Sequence, residues 1–505
     1  MNNGLNTKKN VYTPIWYVCI ALTLVAVMIF VGEDLFLITG WYAVFDECLL
    51  SGDLAHFADH LIAYSRANYS ALSNIIGGIW LLPVYCLSGL IMHGEIVTPI
   101  AAIGRAYFVL WSLWENILIL LVTFLSIKKI NDILRRLGYG RFIVVADILY
   151  LITPIVFVSS VGTGQIDCFA VLFMILGIEA FLDGRYLMTS FMMSLSLLYK
   201  GMPVMVYLPA MALLVFNTGN APSSTVNANN NTAGKTQSFG FFNFSDRNRN
   251  IPLHIAVLIS VPAVNLCLEK FLFPGYREMR SGLQNEINFF DRMLINDQAV
   301  NWFILTAGLI CVFAVWLSVN DLVRREHYLI MPLSVLTAFC LMVDWNPQWL
   351  LILVPFIVLA GCYTGFSVPY MFCYMFMSLG FILSVPISDG RGFDDNGMLH
   401  NGILYYLYKD SPTVFMGDIL TGISPHMLVL GHTLLEVGAV GILLVLILDY
   451  SRKTAKIKTQ NGQHDSLTGV NADVNPWLVA LQVMPAIIYL VACLAMIPVN
   501  MAAGG

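Results

Sequence analysis

Long apolar runs, separated by short polar turns, dominate the pattern along the chain. Many of these runs approach the ~20 apolar residues that a helix needs to cross the hydrocarbon core of a bilayer. The pattern predicts membrane-spanning helices over 13–32, 105–127, 142–159, 167–182, 187–199, 202–216, 252–272, 300–318, 329–343, 349–363, 367–386, 427–450 and 476–498. We therefore predict an all-α polytopic membrane protein with a bundle of about 13 transmembrane helices.

The apolar run 71–93 does not fit this series of spans. If it crossed completely, the basic loop 128–141 would fall on the outer side, against the rule that Lys and Arg stay in the cytoplasm. We therefore interpret 71–93 as a re-entrant or interfacial segment in which Gly77, Gly78 and Pro83 interrupt the helix. With that choice, most of the 26 Lys and Arg residues lie inside.

Four polar clusters interrupt the apolar pattern on the predicted external side. A charged side chain at membrane depth costs roughly 2.5–3.5 kcal/mol, so a chain keeps such clusters mainly for function. The clusters are Glu33-Asp34, Gly162–Asp167, Tyr199–Pro203 and Asp344–Trp349. Their shared side predicts a single site that is assembled from distant parts of the chain.

Composition agrees with a membrane protein and argues against other classes. Of the 505 residues, 58% are hydrophobic and 11% are charged, which is too little charge to cover a soluble fold. The net charge of −5 argues against nucleic acid as a partner. The ten cysteines are scattered, and they form neither a Cys-x-x-Cys pair nor a recognisable disulfide framework.

A polar segment divides the chain into two predicted membrane halves. Segment 217–251 is rich in Asn, Ser, Thr and Gly, and it predicts a disordered cytoplasmic loop. It separates an N-terminal half, 1–216, from a C-terminal half, 252–505. The C-terminal half also carries two predicted external segments, 273–299 and 387–426.

The residues after the first span predict two short amphipathic helices on the outer membrane surface. Gly52 ends the first helix, and Asp53 is a candidate N-cap for the second. His56, Asp59 and His60 share the polar face of the second helix. They are either a solvated face or part of a divalent-metal site, and the solvated face is favoured because no fourth ligand is near in sequence.

Read together, the motifs resemble those of a known family. In chain order they are Glu33-Asp34, Tyr69-Ser-Ala, Gly164-Gln165-x-Asp167, Lys200-Gly-Met-Pro203 and Asn346-Pro-Gln-Trp349. This order resembles the polyprenyl-phosphate-sugar-dependent glycosyltransferases of the GT-C class. It is most similar to the mannosyltransferases that resemble the GPI-anchor enzymes and to their bacterial relatives.

The resemblance implies an inverting transfer of a hexose, with mannose favoured, from a polyprenyl-phosphate donor. The acceptor would be a lipid-linked or cell-envelope glycan on the extracytoplasmic side. By position in the family, the resemblance implies Asp34 as the general base that takes the proton of the acceptor hydroxyl. Glu33 is the competing acid beside the substrate, and an ordinary hydrated helix end is the alternative for both residues.

The chain also departs from part of the family. The luminal loop of the eukaryotic members often has a second acidic residue near its aromatic one, whereas the second cluster here offers Asp167 alone. This difference favours a bacterial plasma membrane over the endoplasmic reticulum. It also leaves the donor and a divalent metal open, and no other cofactor is predicted.

Three residues of the middle clusters are candidates for holding the substrates. Gln165 and Asp167 could orient the acceptor sugar, although an acid in the first turn of a helix also suits the helix dipole. Lys200 could contact the donor phosphate. Its ordinary alternative is snorkelling of the long side chain to the headgroups.

The C-terminal half supplies the remaining candidates. Arg280 lies nearest the centre of segment 273–299 and is a second candidate for the phosphate. Asn346 and Gln348 could donate hydrogen bonds to sugar hydroxyls. Trp349 could stack on a sugar ring, or it could simply anchor the helix at the membrane interface.

Two other classes of function stay open at this point. A transporter or flippase of lipid-linked sugars would use the intramembrane acids Glu115, Asp147 and Glu436 as an ion or substrate pathway. A polysaccharide polymerase or ligase would also have many spans and a large external loop. Such enzymes usually rely on external arginines and a histidine, of which 387–426 offers few.

Overall fold

The computed structural model describes residues 4–64, 69–91, 106–215, 251–280, 296–297, 300–388, 414–459 and 474–503. The predicted loop 217–251 lies outside the described residues except for its last residue. Most of the predicted external segments 273–299 and 387–426 lies outside them as well, as do the side chains of Glu33 and Asp34.

Helices make up almost all of the described N-terminal part. They are α1 (Gly4–Ile29), α2 (Glu33–Ser51), α3 (Phe57–Tyr64), α4 (Ala71–Ile91), α5 (Ala106–Arg136), α6 (Ile143–Ile152), α7 (Pro154–Val156), α8 (Asp167–Leu182), α9 (Tyr186–Tyr199) and α10 (Pro203–Val215). Shorter turns of 3₁₀-helix are Leu54–His56 and Gly140–Phe142, and a π-helix covers Phe157–Gly162.

The C-terminal part is built in the same way. Its helices are α11 (Ile251–Phe271), α12 (Trp302–Val319), α13 (His327–Met342), α14 (Leu353–Tyr363), α15 (Val368–Ser388), α16 (Met416–Ile423), α17 (Met427–Thr459), α18 (Pro476–Leu481) and α19 (Met484–Ala503). A 3₁₀-helix, Pro347–Ile352, precedes α14. Two-residue strands β1 (Asn296–Asp297) and β2 (Val300–Asn301) pair antiparallel before α12.

Eight helices of the described ranges are long and apolar enough to cross a membrane. These stretches are Tyr12–Ile29, Ala71–Gly89, Phe108–Arg136, Ile251–Phe271, Trp302–Val319, Val368–Ile387, Met427–Ala455 and Pro476–Asn500. Large apolar side chains of α12, such as Leu309 and Val312, are exposed, as expected for a surface that faces lipid. The all-α polytopic membrane class is confirmed, but this count does not support about 13 spans.

The predicted span 142–159 is bent rather than straight. Gly140–Ile152 and Pro154–Gly162 would together make a ninth span, but they meet at an angle of 47°. Pro154 has no N–H to continue the helical bonds, and it disfavours a helical conformation at Thr153, whose ψ is 129°. The bend directs the following π-helix toward the start of α8.

Helix α4 contradicts the predicted interruption at Gly77, Gly78 and Pro83, because it runs without a break. A Cβ at Gly77 would lie 2.2 Å from Cε2 of Tyr42, and one at Gly78 would lie 2.4 Å from Cδ1 of Phe45. The two glycines therefore allow α2 to pack closely against α4 and do not break the helix. That 71–93 is re-entrant or interfacial stays a prediction, although Ala71–Gly89 is long and apolar enough to cross.

The two ends of the helical bundle differ in their chemistry. At one end, which we call the basic end, the Arg325 guanidinium donates to the Leu137 carbonyl, 3.1 Å away, and Arg324 donates to Thr454. These bonds join the C-terminal ends of α5 and α17 to the start of α13. Helix α8 begins at the opposite end, which we call the Asp167 end, and Arg136 contacts Glu179 where α8 approaches the basic end.

Two apolar cores meet at the Asp167 end. The larger core lies among the long helices, and a second, aromatic core joins α2, α3 and α4 to the end of α11 through Phe57, Phe273 and Tyr276. Ile166 and Tyr199 belong to this second core. The polar residues at the start of α8 therefore lie where the two cores adjoin.

Candidate functional site

Asp167 forms the centre of a polar cluster contributed by three segments of the chain. Its side chain is only 3% exposed. Lys200, after the end of α9, places Nζ 3.4 Å from Oδ2 of Asp167, an ion-pair distance. The Tyr69 hydroxyl donates to Oδ1 over 3.2 Å, and the Lys200 ammonium lies 5.1 Å from the centre of the Tyr69 ring. We call these three side chains the Asp167 cluster.

A tight turn positions Asp167 at the start of α8. The Thr163 hydroxyl donates to the Ser159 carbonyl over 2.9 Å, and the backbone N–H of Gln165 donates to the same oxygen over 3.3 Å. Gly164 has a φ of +70°, a conformation that glycine adopts without steric strain. Gln165 is fully buried in this turn.

Aromatic side chains surround the cluster. The Tyr199 ring stacks on Phe169 at 5.1 Å and lies 6.1 Å from Phe173, both on α8. The Tyr69 ring contacts Trp41 of α2 at 6.0 Å. These rings exclude water from one side of the ion pair, while Lys200 keeps 22% of its side chain exposed. Lys200 is therefore the more exposed partner of the pair.

The main chain of Glu33 and Asp34 begins α2 beside the same turn. A Cβ at Gly32 would lie 2.6 Å from the Thr163 carbonyl oxygen, and the Leu35 side chain packs on Gly164. The two acids are therefore bracketed by residues in contact with 163–164, close to the start of α8. Their side chains lie outside the described residues, so the role of Asp34 as the base stays a prediction.

The turn between α13 and α14 approaches the same region. The 3₁₀-helix Pro347–Ile352 contacts both the π-helix Phe157–Gly162 and α8. Asn346 immediately precedes this 3₁₀-helix. Gln348 is buried, and its Oε1 has no hydrogen-bond partner within the described parts of the chain. This buried amide oxygen therefore keeps an unused capacity to accept a hydrogen bond.

The aromatic residues of this turn pack against the protein. The Trp349 ring lies 6.3 Å from Phe339 of α13, and Trp345 stacks on His432 of α17 at 5.0 Å. Trp349 is half-buried, whereas Trp345 is buried. Their observed contacts hold α13, α14 and α17 together, and stacking of Trp349 on a sugar stays a prediction.

Arg280 forms an ion pair with Glu269, an acid that the sequence analysis did not single out. Its Nη1 lies 2.7 Å from Oε1 of Glu269, whose side chain is 2% exposed. The same oxygen accepts from Nδ2 of Asn265 over 2.7 Å and from the Ala71 amide over 3.4 Å. These contacts hold the end of α11 to the start of α4, so the Arg280 guanidinium already has an internal structural partner.

Tyr276, on the segment that follows α11, is hydrogen-bonded to the backbone of Tyr69 in the Asp167 cluster. The Tyr276 hydroxyl donates to the Tyr69 backbone carbonyl over 3.0 Å and accepts from the side-chain Nδ2 of Asn74 over 2.6 Å. Tyr69 in turn donates to Asp167. The signal for this network was the i, i+4 spacing of Asn265 and Glu269 within an otherwise apolar span.

Histidines near α3 have an acidic partner rather than a metal-like arrangement. The Asp53 carboxylate makes no N-cap bond and instead contacts His56 Nδ1 and His60 Nε2, the latter at 3.1 Å. The hydrogen bond from His56 lowers the pKa of Asp53 and raises that of His56. Over the described ranges, no group of three or more His, Cys, Asp or Glu side chains is arranged to hold a metal.

Comparisons of the chain with protein-family models, curated proteins and solved structures give no match.

Proposed function

We propose that the protein is an integral membrane glycosyltransferase similar to the GT-C class. It would move a hexose, with mannose favoured, from a polyprenyl-phosphate donor to a lipid-linked or cell-envelope glycan. The observation that carries the proposal is the buried Asp167–Lys200 ion pair beside the start of α2. It brings acidic, cationic and amide groups to one end of the bundle, as transfer from a phosphate ester requires.

In the proposed reaction, the acceptor oxygen forms a bond to the anomeric carbon as the bond from that carbon to the phosphate breaks. Asp34 takes the proton of the acceptor hydroxyl. Polyprenyl phosphate leaves with the bonding electron pair, and the Lys200 ammonium stabilises its charge. Gln348 and Gln165 are buried in the structure and would hold sugar hydroxyls once substrate entry opens the site, and Asp167 keeps Lys200 in position.

The membrane arrangement is part of the proposal. The Asp167 end would face the extracytoplasmic side of a bacterial plasma membrane, and the basic end would face the cytoplasm. About 13 spans require the shorter apolar helices to cross as well, although 14 residues extend only about 21 Å. These shorter helices are Asp167–Leu182, Tyr186–Tyr199, Pro203–Val215, His327–Met342 and Pro347–Tyr363.

Sugar transfer by the purified protein in detergent, with synthetic lipid-phosphate donors and glycolipid acceptors, tests this proposal. Asp34→Asn should lower transfer by about 10²–10⁴-fold, the usual contribution of a positioned general base. Glu33→Gln should keep most of the activity. Asp59→Asn, an exposed acid on α3, is the matched control and should leave transfer unchanged.

Full transfer activity in Asp34→Asn and in Asp34→Ala, at unchanged protein yield, would remove Asp34 as the base. If Glu33→Gln were the inactive variant, the base would be Glu33 and the reaction class would stand. If no hexosyl-phosphate lipid supported transfer by the unmodified protein, the transferase proposal itself would fail.

One observation favours a lipid-linked-sugar transporter as a second candidate. Asp46 on α2 and Glu115 on α5 are buried and close enough to interact electrostatically. Both oxygens of Asp46 and Oε1 of Glu115 have no hydrogen-bond partner among the described side chains and backbone. Buried acids of this kind are typical of ion pathways. However, Asp147 lies elsewhere, near Asn131, so the three predicted intramembrane acids do not form one path.

Translocation of a fluorescent lipid-linked sugar across proteoliposomes separates the two candidates. A transporter would lose translocation in the Glu115→Gln variant, whereas a transferase that does not translocate would give the same background rate with and without the substitution.

A further inference from the structure

A large cavity opens at the basic end, and no residue of the Asp167 cluster lines it. Its volume is about 550 Å³, within the roughly 300–1,000 Å³ that small-molecule sites occupy. Along α8 and α9, the lining residues nearest to the Asp167 cluster are Ile178, roughly 17 Å from Asp167, and Met193, roughly 10 Å from Lys200. The cavity is therefore distinct from the site of the proposed transfer reaction.

The interior of this cavity is apolar. Met193 and Met211, from α9 and α10, line it and are 2% and 8% exposed. Phe356 and Leu359 of α14 line it as well, and both are buried. Native interiors are normally packed to the density of organic crystals. An apolar cavity of this size among buried side chains is thus suited to a hydrocarbon ligand.

The same cavity is also lined by Arg141, Arg325 and Lys453, against the single carboxylate of Glu326. Arg141 and Arg325 are exposed, whereas the apolar lining is buried, so the cations lie at the mouth. This distribution of charge matches a ligand that has an anionic head and an apolar tail.

Two of the cations differ in their contacts. The Arg141 guanidinium packs on the Phe142 ring at 4.5 Å. The arginine–carboxylate pairs of the described segments involve Arg135, Arg136, Arg185 and Arg280, and not Arg141. The Lys453 ammonium lies 2.7 Å from Asp449 and 2.8 Å from the Tyr363 carbonyl oxygen. Arg141 is therefore the stronger candidate for an anion, because its planar fork matches phosphate and no internal acid competes.

We propose that this cavity binds an anionic lipid from the adjacent leaflet, whose phosphate contacts Arg141 and Arg325 and whose hydrocarbon chain fills the interior. The proposal is independent of sugar transfer, since no residue of the Asp167 cluster lines the cavity. A free phosphate ion would satisfy the cations alone, whereas a lipid phosphate satisfies both the cations and the apolar interior.

Native mass spectrometry of the full chain in detergent tests this proposal with dioleoyl phosphatidic acid as the probe. We expect retention of one phosphatidic acid at concentrations where dioleoyl phosphatidylcholine is lost. Arg141→Gln combined with Arg325→Gln should weaken the retention at least about tenfold, because two charge-assisted contacts are removed. Arg135→Gln is the matched control, since that exposed arginine pairs with Asp132 and does not line the cavity.

Ala210→Phe tests the apolar interior separately, because Ala210 lines the cavity and a larger ring would occupy it. This variant should lose phosphatidic acid while the head-group cations remain. Unchanged retention in Ala210→Phe would contradict a chain in the cavity. Displacement of phosphatidic acid by millimolar inorganic phosphate would show a phosphate-ion site and overturn the lipid proposal.

A crosslinking experiment on the unmodified protein covers the case in which a variant does not fold. Phosphatidic acid with a photoreactive group in its acyl chain should crosslink to peptides of α10 and α14. Crosslinks confined to the outer faces of α11 and α12 would place the lipid on the general membrane surface and would overturn the proposal.

Discussion

The Asp167 end and the basic end of the bundle treat charge in opposite ways. At the Asp167 end, the carboxylate of Asp167 is 3% exposed and lies against an ammonium and a phenol hydroxyl. At the basic end, Arg141 and Arg325 are exposed above an apolar cavity. The Asp167 end therefore has a buried charge, whereas the basic end has exposed cations.

This difference indicates different reasons for retaining the charges. A buried ion pair loses hydration that its mutual attraction only partly returns, so it is weak evidence for stability and is better explained by positioning. Exposed cations lose little hydration and have little effect on folding. We therefore expect substitutions at the Asp167 end to alter both the fold and the chemistry. Substitution of the exposed Arg141 at the basic end should alter ligand binding with little effect on the fold.

The largest expected effect on stability is at Lys200. Lys200→Met leaves the buried Asp167 carboxylate without its cation, which should lower the free energy of unfolding by about 3–5 kcal/mol. Arg141→Met at the basic end should change it by less than about 0.5 kcal/mol. Unfolding by sodium dodecyl sulfate in mixed micelles measures both values.

The double variant Asp167→Asn with Lys200→Met is the control for this comparison. It removes both charges and should recover most of the loss seen in Lys200→Met. Equal stability of the single variant and the unmodified protein would mean that the ion pair contributes nothing, and the contrast between the two ends would disappear.

A smaller difference is expected between two glycines with positive φ. Gly164 at the Asp167 end and Gly138 at the basic end have φ of +70° and +82°. A Cβ at Gly164 would lie 2.5 Å from Cδ2 of Leu35, whereas a Cβ at Gly138 meets no atom within 4 Å. Gly138→Ala should cost about 1 kcal/mol of conformational strain, and Gly164→Ala about 2–4 kcal/mol because it adds a steric clash.

The same unfolding measurement tests this pair. Equal losses for the two alanine variants would show that Leu35 moves aside, and the close packing of α2 on the 163–164 turn would lose its support. A larger loss at Gly138 would contradict the packing account altogether.

The smallest expected effect is a dependence of the unfolding free energy on pH, caused by the buried acid Asp46. Burial raises the pKa of Asp46 on α2 from 3.8 to about 8, whereas Glu179 near the basic end contacts Lys129 and Arg136. Between pH 3.8 and about pH 8, the folded protein keeps the Asp46 carboxyl protonated, whereas the unfolded chain releases that proton. This contribution to stability is complete below about pH 4 and is lost as the pH rises to 8.

Asp46→Asn should remove this loss, which we expect to be on the order of 2 kcal/mol between pH 6 and pH 8. The measurement is the unfolding free energy at both pH values for the variant and the unmodified protein. An Asp46→Asn variant with the same dependence on pH as the unmodified protein would show that Asp46 is ionised and partnered in the folded state.

Apolar periodicity predicted the individual helices well where polar turns bounded them. The predicted ranges 167–182 and 187–199 match α8 and α9 closely. Their ends coincide with Asp167 and with the Lys200-Gly turn, where charge and glycine limit the helix. Local sequence was sufficient in these regions because the boundary signals lie within the helix and its flanks.

Packing between distant segments was less predictable. Gly77 and Gly78 suggested a break in the helix, yet they lie under Tyr42 and Phe45 of α2. Two adjacent glycines can either interrupt a helix or allow a second helix to pack closely on it. Only the position of the second helix shows which of the two applies. The side on which each polar cluster lies was predicted from charge, but the contact of Tyr69 with Asp167 could not be, because 98 residues separate them.

Membrane-impermeant maleimide labelling of single cysteines tests the two-ended arrangement most directly. For this experiment the two exposed cysteines, Cys86 and Cys267, are first replaced by serine. Asp344→Cys, exposed in the turn after α13, should be labelled from outside intact cells, and Arg141→Cys should be labelled only after permeabilisation. Labelling of Arg141→Cys from outside, with Asp344→Cys protected, would place the Asp167 end in the cytosol and contradict the account.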